Sequence, residues 1–167
     1  MLRRACAIGV VLTVGFLVLA SVGQGSTTPR RCQGSQFKLT RGPSDAALGN
    51  YRQTVRLHNV SHAACAMSGW FKVQLLNTQG AVLTSTERHI TRDMFGTSPK
   101  PKVVVAPGGG ASFAIDTTAP ATSCPYSKTI AVTPPSGHGS KRLSLVVLAC
   151  AHFSALPVQP DNRAIHP

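Results

Sequence analysis

Five cysteines, six histidines and five side-chain carboxylates are the groups in this chain that could do chemistry. Their spacing favours covalent stapling over turnover. Cys32, Cys65, Cys124 and Cys150 each lie just outside a run that reads as a β-strand, while Cys6 sits in the N-terminal leader. There is no Cys-x-x-Cys, so no redox pair of that kind is encoded. Asp45, Glu87, Asp93, Asp116 and Asp161 are scattered, without a repeated spacing that would set an acid beside a base. Gly-x-Ser-x-Gly, His-Glu-x-x-His and a glycine loop ending in Lys are all absent. A catalytic alternative therefore falls on His89 or His152, with partners brought from distant positions to make a small envelope enzyme. A metal alternative falls on His58 and His62, which flank the Asn59-Val60-Ser61 turn, with Met67 nearby; His and Met are donor types that hold copper. The preferred expectation is neither: no catalytic residue, no metal site and no cofactor. Asn59-Val60-Ser61 also has the form of a glycosylation sequon but reads as a hairpin turn.

The compartment follows from the first residues. Met1-Leu2-Arg3-Arg4 is a short basic head, and the stretch from Ala5 to about Gly23 is uncharged and mostly apolar. That layout is a secretory signal over residues 1–23, with cutting after Ala20 or Gly23; the alternative is an uncleaved anchor. Arg3-Arg4 lacks the rest of a twin-arginine pattern. Cys32 follows Pro29-Arg30-Arg31 rather than small apolar residues, which argues against lipid attachment. Residues 24–31 read as a flexible lead, 32–158 as one domain and 159–167 as a short tail. An exported chain can keep its thiols oxidised. A secreted or envelope-associated protein with no membrane span after cleavage is expected; its oligomeric state is left open.

Of the 17 Lys+Arg, losing Arg3 and Arg4 with the leader leaves 15 against 5 Asp+Glu. Such a balance draws a protein towards anionic partners: an envelope polymer, a lipid headgroup or an acidic protein. Nucleic acid is a poor fit, because one Trp and two Tyr offer few stacking platforms. Lys38, Arg52 and Arg56 fall on the polar side of two neighbouring strands, and Arg88 and Arg92 lie in a long connection. These five are the candidate anionic-partner residues.

The elements that must position them are strands. Phe37 and Leu39 alternate with Lys38 and Thr40 across Gln36–Arg41. Tyr51, Gln53, Val55 and Leu57 form one face of Tyr51–His58, and Phe71, Val73 and Leu75 one face of Trp70–Leu76. Alternation with period two marks half-buried strands. Ala81–Thr84, Lys102–Val105, Ser112–Asp116, Thr129–Thr133 and Arg142–Ala149 follow, separated by Gly and Pro turns, with Thr86–Pro101 as a long loop. No stretch carries helical periodicity with caps. About eight short strands imply an all-β, antiparallel, immunoglobulin-like sandwich. Antiparallel pairing of the first two strands brings Cys32 to Cys65. A hairpin through Pro134–Ser140 brings Cys124 to Cys150. Each bridge closes a loop of about 30 residues and stabilises by on the order of 3–4 kcal/mol.

Several blocks carry a further likeness. Ala47-Leu48-Gly49-Asn50 opens a strand ending His58-Asn59-Val60-Ser61, followed by Cys65 and Gly69-Trp70-Phe71. Val105-Ala106-Pro107-Gly108-Gly109 precedes Ala111-Ser112, and Ile130-Ala131-Val132 leads to Pro134-Pro135-Ser136-Gly137. In this order, with four cysteines, the chain resembles a family of exported actinobacterial domains of unknown function, number forty-two thirty-two. It departs from the family pattern at Trp70-Phe71, where an aromatic-Pro pair is usual, and at Thr133, where an aromatic is common. The resemblance implies an exported β-sandwich, often in the cell envelope, and brings no catalytic residues. The sequence thus points to a non-catalytic binding or interaction module.

Overall fold

The computed structural model describes residues 28–119, 123–135 and 137–161. The expected signal over 1–23, half of the lead and the last six residues lie outside them. The described chain is all-β apart from one 3-10 turn, Gly34–Gln36.

The longest sheet is built on a hairpin. Strands β2 (Phe37–Ala47) and β3 (Asn50–Asn59) pair antiparallel around a two-residue turn. Leu48 and Gly49 both take positive φ there, 48° and 75°, as the tight hairpin turn that matches strand twist requires. β2 runs six residues past its expected end and carries an irregularity between Arg41 and Ser44. β3 pairs on its other side with β10 (Gly110–Thr118), which continues to β13 (His152–Ala155), and β13 to β6 (Thr86–His89). β14 (Gln159–Asp161) also pairs with β10, so the expected tail begins as a strand.

A second sheet faces this one. β11 (Thr129–Thr133) lies between β5 (Lys72–Leu76) and β12 (Lys141–Ser144), antiparallel to both. A third, small sheet orders β1 (Arg30–Arg31), β4 (Cys65–Met67) and β9 (Val103–Val105). β7 (Arg92–Asp93) and β8 (Gly96–Thr97) make a separate hairpin.

Four sequence expectations change. The sheets are mixed, not wholly antiparallel: β1 runs parallel to β4, and β13 parallel to β6. Ala81–Thr84 contributes only an isolated bridge from Val82 to Leu76, and the last apolar run forms a ladder only to Ser144. The Thr86–Pro101 connection contains three strands, not a bare loop.

Inward residues of both larger sheets share one core, including Val55, Leu57, Phe113, Ile115, Val73, Leu75, Ile130 and Val132. Phe71 stacks on Phe113 with ring centroids 4.5 Å apart, and each fully buried side chain of this size contributes about 1.5–3 kcal/mol. Both disulfides form as expected. Cys32 joins Cys65 with Cα atoms 4.8 Å apart, inside the core and beside the β1–β4 ladder. Cys124 joins Cys150 across 5.1 Å.

Candidate functional site

Register places the candidate cations. Asp45, Arg52, Asp116, Ser154 and Arg88 stand in one row across five strands, β2-β3-β10-β13-β6. Directly paired residues share a face, so Arg52, Arg88, Asp116 and Ser154 all lie on the outer side of the long sheet. Lys38, opposite His58, joins Arg52 and Arg56 there.

Two of these cations are already engaged. The β7–β8 hairpin supplies Asp93, whose side chain is only 2% exposed, to an ion pair with Arg52. Arg52 Nε donates to Asp93 Oδ2 at 2.7 Å, and its guanidinium carbon lies 5.0 Å from the Phe95 ring centre. The hairpin tip is pinned in turn, since Phe95 N donates to Asp93 Oδ1 at 2.8 Å. Arg56 pairs with Asp161 of β14 at 3.3 Å. Arg92 donates to Thr97 Oγ1 across the small hairpin. Burial, and next the Asp93 charge, push the Asp116 carboxyl up to about 6 despite the opposing pull of Arg52.

The two histidines of the catalytic alternative occupy different places. His89 stacks flat on Trp70, centroids 5.1 Å apart, and lies 3.4 Å from Glu87. Lys100 covers the Trp70 ring at 5.1 Å. Burial raises the Glu87 carboxyl, while the Val73 N–H, donating to Glu87 Oε2 at 3.0 Å, and His89 hold it back. His152 is exposed on the outer face in register with Thr86. Among the described residues no hydrogen bond joins either histidine to a serine. For the metal alternative, His58 faces outward beside Lys38, whereas Met67 is buried in the core. No group of three His, Cys, Asp or Glu suited to a metal occurs among the described residues.

The Asn59 turn is a structural joint. Asn59 is fully buried; its Nδ2 donates to Ala63 O and Val105 O, and its Oδ1 accepts from Ser61 N and Oγ. Its own N–H and C=O pair with Gly109 O and Gly108 N. One side chain thereby ties the end of β3 to β9 and to the turn before β10.

A feature the sequence did not announce lies at the opposite end. Beyond the reach of the shorter second sheet, the walls part into a half-open cleft of about 720 Å³. Tyr51, Gln53, Ile115 and Thr117, from the inward faces of β3 and β10, form one wall. Tyr126, Val146 and Leu148, beside the Cys124–Cys150 bridge, form the other. Tyr51 and Tyr126 stay about half exposed, at 47% and 57%. Alternation along β3 places Tyr51 on this face, but Tyr126 belongs to no strand and carried no sequence signal.

Charge is distributed unevenly over the surface. Of the five side-chain carboxylates only Asp45 is exposed. Every described lysine, and every described arginine except Arg52 and Arg56, is exposed. Among the described residues no helix is long and apolar enough to cross a membrane. No curated protein and no solved structure matches the chain. Residues 32–160, well over half of the sequence and both disulfides with it, match the family described as Domain of unknown function (DUF4232), and the chain belongs to that family.

Proposed function

We propose that this domain is an exported, non-catalytic binding module of the bacterial cell envelope, immunoglobulin-like in general plan, that docks on an anionic envelope polymer. One observation carries the reading: four of the five side-chain carboxylates are withdrawn from the surface, while nearly all the cations remain on it. Such a surface attracts polyanions from a distance and repels other cationic chains. Two disulfides fit an oxidising compartment outside the cytoplasm. On the long sheet the docking cations are Lys38 and Arg88, and Arg92 adds an exposed charge on β7. Arg52 serves chiefly to hold β7–β8 down on that face, and Arg56 to brace β14 within the sheet.

Co-sedimentation with polyglycerol phosphate, across a salt series, tests this. Binding at low salt that fades as exposed charges become screened, within about 8–10 Å at physiological ionic strength, is the expected result. Phosphatidylglycerol vesicles and an acidic protein form separate arms. Preference for either replaces the polymer as partner, and absence of binding in every arm at low salt ends the reading.

A further inference from the structure

We propose that the cleft between Tyr51 and Tyr126 is a binding site for a neutral saccharide segment. The site differs from the cationic face and does not depend on the anionic-polymer reading.

Size and shape come first. About 720 Å³ falls within the range of small-ligand sites. Its walls are a long, regular sheet and a segment stapled by Cys124–Cys150. The second wall is further tied by Ser127, fully buried, whose Oγ donates to Leu145 O and accepts from Val147 N, both at 2.9 Å.

The lining then selects the ligand. Two half-exposed tyrosines offer flat, weakly negative faces to C–H groups, as well as phenolic hydroxyls. Thr117, Ser123 and the amide oxygen of Gln53, whose Nε2 donates to the Gly42, Pro43 and Thr54 carbonyls, add neutral polar groups. Arg52 also borders the cleft, but its guanidinium is already held by Asp93 and Phe95, so an anionic ligand gains no free counter-charge. An acyl chain would match Ile115, Val146 and Leu148 but would leave the hydroxyls of Tyr51, Thr117, Ser123 and Tyr126 without partners. A peptide strand would need open backbone groups on the second wall. There Ser127 N and Ala149 N already donate to Val147 O and Pro125 O, and Tyr126 bridges Leu148. A ring that alternates C–H faces with equatorial hydroxyls meets both halves of the lining.

The test is a titration of the isotopically labelled chain with tri-N-acetylchitotriose in high salt, followed by amide resonances. High salt suppresses charge-driven docking, so failure here and failure of the polymer reading are separable. The expected result is saturable shifts clustered at Tyr51, Gln53, Thr117 and Tyr126. Tyr51→Ala and Tyr126→Ala, checked for folding by circular dichroism, should each weaken binding about tenfold. Tyr51→Phe, which keeps the ring, should retain most of it. No shifts at millimolar trisaccharide, shifts confined to other surfaces, or decanoate shifting these residues where the saccharide does not would each overturn the proposal.

Discussion

Arg52 and Asp116 stand directly opposite each other on β3 and β10, yet Arg52 forms its ion pair with Asp93, 41 residues away on the hairpin that folds over them. Asp116 is left beside a second carboxylate, half-buried, with Oδ1 lacking a hydrogen-bond partner. Burial first, and then the Asp93 charge, raise its carboxyl to about 6 against the pull of Arg52, whose ion pair is made with Asp93.

A pH dependence of stability follows. The folded value of about 6 lies above the ordinary 3.8. A carboxyl raised in the folded state contributes stability that is full below its ordinary value and lost as pH rises through its folded one. Between those two values the native protein should therefore lose stability on account of Asp116. Asp116→Asn fixes the neutral form and should flatten that part of the curve. Urea denaturation of both proteins at several pH values checks it. Equal slopes for wild type and Asp116→Asn across this window would remove Asp116 from the account.

Asn59 should behave as a core residue although it is polar and lies within a sequon. Asn59→Ala removes four side-chain hydrogen bonds, including one to Val105 O that is fully buried. Leaving a buried partner unsatisfied costs about 1–3 kcal/mol, so a loss of about 2–3 kcal/mol is expected from chemical denaturation. Asn59→Asp keeps the acceptor for Ser61 but loses the donor to Val105, and it should not restore stability. A loss no larger than that of an exposed turn substitution would show the network to be unimportant.

The Asn59 joint also shows where sequence reading reaches its limit. Strands β3 and β10 were legible because their inward residues alternate and burial follows that alternation, and β11 as a short apolar run between turns. β6 was not, because its inward residues are Glu87 and His89, held by Val73 N–H and Trp70 rather than by apolar packing. β1 and β4 are only two and three residues long and are fixed by the Cys32–Cys65 bridge, so no periodicity could reveal their parallel pairing. The shared face of Lys38, Arg52 and Arg56 was readable from alternation. The pairing of Arg52 with Asp93 and of Arg56 with Asp161 was not, since both depend on long-range return of the chain.

The two disulfides should differ in what they protect. Cys32 and Cys65 are buried in the core, whereas Cys124 and Cys150 are partly exposed. The sequence separations, 33 and 26 residues, are similar, so chain entropy alone predicts nearly equal contributions of about 3–4 kcal/mol. Replacing Cys32 and Cys65 by serine also places two hydroxyls in the core, and this pair should be the more damaging in thermal unfolding. Replacing Cys124 and Cys150 should spare the core and loosen the second wall of the cleft, raising amide exchange at Tyr126 and Val147. Equal effects of the two replacements on both readouts would contradict this division.

Charge reversal separates cations that dock from cations that hold the fold. Lys38 and Arg88 share the outer face with Arg52 but are exposed. Counterion release from a linear polyanion makes log affinity fall with log salt by about one unit of slope per charge contact. Lys38→Glu with Arg88→Glu should therefore weaken binding to polyglycerol phosphate at low salt and lower the slope by about two. Arg52→Gln should leave that slope unchanged while lowering the melting temperature, because it strips Asp93 of its partner and frees the β7–β8 hairpin. The opposite pattern, with the slope falling on Arg52→Gln and not on the double reversal, would move the docking surface under the hairpin and require that hairpin to open before a polymer could bind.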